Sequence, residues 1–244
     1  MSEWWTYRPS DFLMFSPRIH ARLFESVNLQ WWPLALLLPL AGLAWAWLLW
    51  RRGAALRPGL AALGVVWIFV AWTFHAERFV PINWAAVAFV LLFALQGVGL
   101  LGLAALGGVQ VQRHGARAAI GLALWLLALL AHPLLAALLD RPWLQAEVFG
   151  LAPDPTAIAT LGVWLLLRAD SRAGVWVWRV LGTLPLVWCG ISAALLATMD
   201  SGQAWVPAAA ALLTLAALIG SLIYSICAVI IDAAVERLFA ANGG

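Results

Sequence analysis

The chain has 244 residues, of which 65% are hydrophobic and only 10% charged, with a formal net charge of +3. A soluble domain carries about 25% charged residues, so a soluble fold is excluded and the bilayer is the main solvent. All positive side-chain charge is arginine, with no lysine in the chain. The placement of that arginine in short loops explains the basic balance without nucleic acid.

The first thirty residues are mixed in polarity. They lack the short apolar core and small-residue cleavage site of a secretory signal. Ser16 followed by Pro17 is a cap and first-turn pair. Ile19, Leu23, Phe24 and Val27 then fall on one face of a helix, away from Arg18, Arg22 and Glu25. Trp4, Trp5, Tyr7, Trp31 and Trp32 suit the headgroup zone. Residues 1–32 are therefore expected to form an interfacial amphipathic segment, ahead of a transmembrane domain at 33–244.

Seven apolar stretches follow, at 33–50, 58–75, 83–106, 116–139, 155–169, 175–198 and 206–231. Helices satisfy their own backbone groups in lipid. Alternating ten-residue strands, the mark of a barrel, are missing from runs such as Leu34 to Leu40. The expected fold is all-α, a seven-transmembrane-helix bundle. Arg51, Arg52, Arg57, Arg113, Arg117, Arg168, Arg172 and Arg179 occupy the first, third and fifth connections, against Arg78 and Arg141 in the others. The positive-inside bias then places the N-terminus outside and the C-terminus inside.

Seven spans in that direction match microbial rhodopsins in size. Retinal in those proteins needs a lysine amine, and without lysine a covalent Schiff base is excluded. A phosphate-binding glycine loop with lysine is also missing, which argues against ATP-driven pumping. Cys189 and Cys227 lie in apolar surroundings of the last two spans, outside any CxxC pair. No cofactor and no enzymatic activity are expected.

Polar residues that could carry function are few. His132 stands near mid-span before Pro133. An intramembrane ionisable group is a functional candidate by default, although a histidine beside proline can also bond to a freed carbonyl. On the arginine-poor end, His75, Glu77, Asn83 and Trp84 gather in one connection, with Glu147, Asp154 and Thr156 in another. We expect these seven to line an outward-facing pocket. Asp154 is expected as a helix N-cap, with Pro155 in the first turn. From there to Arg168 the helix rises only about 20 Å, short of the ~30 Å hydrocarbon core. Either the span is short or the chain from Trp143 to Ala152 dips inward, and short interrupted segments often mark transporter sites. Gly97, Gly99 and Gly102 in the third span permit close helix approach, within the chain, with a membrane-protein partner or in a homo-oligomer.

Three strings, SEWWTYRPSDFLMFSPR, FHAERFVPINWAA and RPWLQAEVFGLAPDPTAIATLG, resemble a bacterial integral-membrane family of unassigned function. The resemblance covers nearly the whole chain. It implies a multi-pass protein of the bacterial inner membrane and supplies no activity or substrate. The family it resembles usually has an aromatic residue where this chain has His132.

Two functions compete, with a membrane enzyme using a metal at the outer face ranked below both because His75 and Glu77 form an incomplete ligand set. A small-solute or proton-linked transporter, or a channel-like protein, would use the outward pocket. The sparse polar lining favours a proton, a neutral solute or an amphipathic cargo over a hydrated ion. The alternative is a structural or accessory subunit of a larger membrane complex, favoured by the nearly charge-free interior and the 17 tryptophans.

Overall fold

The computed structural model describes residue 13, residues 15–52 and residues 55–242. Trp4, Trp5 and Tyr7 lie outside the described residues. The element order is α1 (Pro17–Gln30), α2 (Trp32–Arg52), α3 (Leu56–Val70), a π-helical turn (Ala71–Phe79), α4 (Val87–Leu106), β1 (Val109–Val111), α5 (Ala116–Leu126), α6 (Leu135–Leu138), α7 (Pro153–Leu166), β2 (Leu167–Ala169), α8 (Arg172–Thr198) and α9 (Trp205–Asn242). Among the described residues, six helices are long and apolar enough to cross a membrane, and they coincide with six of the seven expected spans.

The fifth expected span is different. In place of a helix over 155–169 the chain forms α7, 14 residues long, and leaves it as β2. At 1.5 Å per residue α7 is about 21 Å long. All of its residues are buried, and it packs against α3, α5, α8 and α9. A helix enclosed by other helices need not match the thickness of lipid. Its preceding segment, Ala146 to Ala152, is also buried, an arrangement tolerated at depth only inside protein.

Glycine permits the enclosure. A Cβ on Gly162 of α7 would lie 2.6 Å from the Gly121 carbonyl oxygen of α5. Gly64 and Gly97 pair in the same way between α3 and α4. Of the third-span glycines, Gly97 and Gly99 are thus used within the chain, Gly99 against Leu181, whereas Gly102 has open space around it. By contrast α2 is the least packed span, with Leu36, Leu37, Leu40 and Trp47 exposed.

β1 and β2 pair antiparallel, with Gln110 opposite Arg168, and so bring the ends of α4 and α7 to one end of the bundle. Arginines cap the helix carbonyls there. Arg57 donates through Nε to Ala104 at 2.7 Å and also to Ala105, while Arg117 donates to Leu167. Cations at helix C-termini complement the dipole. The arginines of the first, third and fifth connections thus share one end.

At the other end α1 lies over the bundle. Ser16 accepts from the Ile19 amide at 3.3 Å and Pro17 occupies the first turn, as the sequence suggests. Of the stripe expected to face the membrane surface, Leu23, Phe24 and Val27 are buried against protein and Ile19 is exposed. Phe24 stacks on Phe74 at 5.1 Å. Asn28 Nδ2 donates to the Leu144 and Ala146 carbonyls, both at 2.8 Å. Arg78 donates through Nε to Ser26 at 2.9 Å. Because Asn28→Ala would strand two carbonyls, we expect it to cost about 1–3 kcal/mol and to speed proteolysis within α1. Unchanged melting and cleavage rates would show that α1 is held without this latch.

Candidate functional site

Two of the spans are distorted, and each distortion carries a buried histidine. The helix after α3 widens into a π-turn over Ala71–Phe79, where the Val80 amide reaches back five residues to the His75 carbonyl at 2.9 Å. After α5 a π-turn over Leu127–Ala131 runs into a 3₁₀ turn over His132–Leu134. Pro133 has no amide to continue the ladder. π-bulges occur often at functional sites. His75 is 0% and His132 is 1% exposed, and neither nitrogen of either ring has a hydrogen-bond partner. The backbone of Glu147 and of His132 itself acts on the His132 ring, without a hydrogen bond of ordinary geometry.

His132 lies near enough to the start of α7 to interact electrostatically with Asp154, and His75 reaches that region through Trp188 of α8. Asp154 sits there, 4% exposed. Its Oδ1 accepts from Trp188 Nε1 at 2.8 Å and its Oδ2 from the Ser192 hydroxyl at 2.6 Å. Trp188 and Ser192 are one turn apart on α8, so both project to the same carboxylate. The Trp188 ring also meets the His75 ring, with centroids 5.1 Å apart. Phe93 lies against His75 at 4.4 Å and Phe89 at 5.9 Å. An aromatic wall thus joins His75 to the indole that donates to Asp154.

Asp154 is not the N-cap expected from sequence. The cap position is Ala152, with Pro153 in the first turn. A proline there fixes the helical φ without losing an amide bond. This moves Asp154 into the first turn, where the carboxylate turns to α8. Thr156 ties the loop instead: its Oγ1 accepts from the Gly150 amide at 2.9 Å and donates to the Ala152 carbonyl at 2.7 Å. Gly150 has φ +82°, a left-handed conformation suited to glycine.

Glu147 is 3% exposed and belongs to the same region. Its Oε1 accepts from Gln203 Nε2 at 2.7 Å and faces Arg141 Nη2 at 3.5 Å. Arg141 also donates to Gln203 Oε1 at 2.6 Å. Glu147 acts electrostatically on Asp154, and Asp154 and Arg141 act in opposite senses on His132. The region therefore holds two buried carboxylates, two buried imidazoles and a partly buried arginine. Among the described residues, no three His, Cys, Asp or Glu side chains gather as a metal-ligand set.

Five of the candidate residues are buried inside the bundle: His75, His132, Glu147, Asp154 and Thr156. Three do not join them. Glu77 is exposed and pairs with its neighbour Arg78 at 3.0 Å. Asn83 accepts from the Ala85 amide at 3.1 Å and caps a short 3₁₀ turn. Trp84 is 76% exposed. The expected open pocket is also absent at the cluster. Beside Asp154 lies a cavity of about 10 Å³ beneath α1, because Phe24, Phe74 and Phe79 fill the approach. Sequence reasoning missed Trp188, Gln203 and His20 as participants. The four-residue spacing of Trp188 and Ser192 was a signal for one helix face, but nothing in it pointed to Asp154.

Trp188→Phe keeps an aromatic ring and removes the donor to a buried carboxylate. We expect about 1.5–3 kcal/mol of destabilisation, read as a lower melting temperature in detergent. Wild-type melting would mean that Ser192 alone suffices to hold Asp154.

The family model described as "Family of unknown function (DUF6064)" matches residues 18–227, and the chain belongs to this family. No curated protein and no solved structure matches it.

Proposed function

We propose that this family member is a proton-linked membrane transporter in which Asp154 is the proton-binding carboxylate. The observation that carries the reading is the burial of Asp154 at the head of α7, within electrostatic reach of Glu147 and His132 and joined to His75 through Trp188. Ionisable groups enclosed by membrane helices are costly, and they commonly mark proton relays. Structural ion pairs would leave few loose ends, yet both imidazoles here lack partners.

The polar residues along α7 also fit a proton better than a hydrated ion. Thr160 accepts from Trp67 Nε1 at 2.8 Å and donates to the Thr156 carbonyl at 2.8 Å. Further along, Gln96 and Thr160 line a cavity of about 20 Å³. Such spaces admit about one water each, which suits stepwise proton transfer and excludes a hydration shell. By the positive-inside bias, the arginine-capped end faces the cytoplasm and α1 the outside, in a bacterial inner membrane.

Proteoliposomes holding a pH-sensitive dye test this directly. A potassium diffusion potential should drive faster internal acidification than in empty vesicles. Equal rates, across a range of applied potentials and added pH gradients, would remove the reading.

A second reading, that of a subunit of a larger assembly, has its own support in α9. This helix has 38 residues, about 57 Å. Beyond Ala217, Ile219, Leu222, Ile223, Ile226 and Ile230 are exposed. Co-purification of a stoichiometric membrane protein in mild detergent would favour it.

A further inference from the structure

The cavity beneath α1 is lined by three polar side chains from three elements: His20 of α1, Asp154 of α7 and Ser192 of α8. The rest of its wall is apolar or aromatic, including Phe24, Phe74, Phe79 and Trp188. A volume near 10 Å³ accommodates about one water, and a water among apolar walls needs two to four polar partners. The lining supplies that number. Each Asp154 oxygen accepts one bond from α8 and retains capacity for a second.

His20 is placed to be the outer partner. Its ring stacks on Phe15 at 5.9 Å and meets Phe24 and Phe79 edge-on at 5.2 and 6.0 Å. These contacts orient the imidazole and leave its nitrogens for polar partners. Asn28 and Ser26 hold the same helix in place.

We infer that this cavity binds one water joining the His20 imidazole to the Asp154 carboxylate, and that His20 is the group through which protons reach Asp154 from the α1 end. The second clause rests on the proton-linked reading above; the first does not. A neutral imidazole offers one acceptor and one donor nitrogen. A proton taken up on the free nitrogen is balanced by release of the other nitrogen's proton to the water. The water passes a proton to Asp154, and the ring is left as its second tautomer. Burial, and then the Arg141 charge, lower the His20 pKa to about 4, so the ring is neutral at pH 7 and ready for this exchange. His75 and Arg141 act on His20 electrostatically, while Glu147 and His132 act on Asp154 from the other side.

His20→Phe preserves the aromatic packing and removes both nitrogens. In proteoliposomes this full-length variant should carry protons about 10-fold more slowly or worse, with wild-type melting. A second measurement is independent of transport. The ring ¹⁵N resonances of His20, assigned by their loss in His20→Phe, should shift in Asp154→Asn. Wild-type flux in His20→Phe would overturn the proton route. Resonances unmoved by Asp154→Asn would overturn the water link. Were the wild-type chain itself to carry no protons, the transport reading would fail while the resonance shift still decided the link.

Discussion

Asp154→Asn should abolish potential-driven proton flux, by roughly 100-fold or more, while leaving the protein folded. The substitution is nearly isosteric and removes the titratable group. Asparagine keeps one carbonyl oxygen, able to accept from Trp188 Nε1 or the Ser192 hydroxyl, which now bond to the two carboxylate oxygens. Its amide nitrogen can donate to the Ser192 oxygen, which accepts as well as donates, but both bonds lose the strength that the carboxylate charge gives them. A partial loss of stability is therefore expected, on the order of 1–2 kcal/mol, against a complete loss of transfer. That split is the informative part. If Asp154 only braces α7 against α8, flux should fall no further than the amount of folded protein. Undiminished flux per folded molecule would sink the assignment. The comparison with Glu147→Gln is useful because Glu147 is tied to Gln203 and Arg141. A carboxylate held by an arginine is the more natural charge balance, and Asp154 the more natural carrier.

Gly162→Ala should destabilise the bundle by about 2–3 kcal/mol, a large effect for a single added methyl group. The added Cβ would stand 2.6 Å from the Gly121 carbonyl oxygen, 2.7 Å from the Trp125 amide nitrogen and 3.0 Å from Trp125 Cβ. Two of these atoms are backbone and cannot rotate aside. α5 and α7 would have to separate, and α7 has no lipid-facing side toward which to move, since all its residues are buried. Small residues at such crossings are what allow helices to pack closely in membranes. A fall of roughly 4–12 °C in melting temperature follows. Gly102→Ala is the matched control. Nothing lies within 4 Å of the Cβ it would add, so only the helix preference for alanine over glycine remains, about 0.5–1 kcal/mol in the stabilising direction. Equal melting of the two variants would refute close packing of α5 on α7.

The candidate site was half legible in the chain. His75, His132, Glu147 and Asp154 stand out because ionisable groups are rare beside apolar runs, and that rarity is a local property. Glu77, Asn83 and Trp84 share the same neighbourhood in sequence but not in space. The π-turn over Ala71–Phe79 directs His75 inward, whereas Glu77 pairs with Arg78 at the surface. No periodicity announces a π-turn, since it differs from α-helix by one residue in the hydrogen-bond register. Trp188 was hidden for another reason. An indole in a membrane span is ordinary, and only the docking of α8 on α7 turns it into a donor to Asp154.

Apolar length and composition were enough to point to a helical membrane protein and to locate six long apolar helices, because those properties report transfer from water to lipid residue by residue. Arginine position was enough to group three connections at one end, because charge avoids the hydrocarbon core whatever the fold. The length of α7, the inward path of the chain before it, and the closure of the polar cluster beneath α1 depended on tertiary packing. Their cause is enclosure: once other helices replace lipid around a segment, side-chain fit and hydrogen-bond partners from distant elements set its limits, and neither is written in local hydropathy.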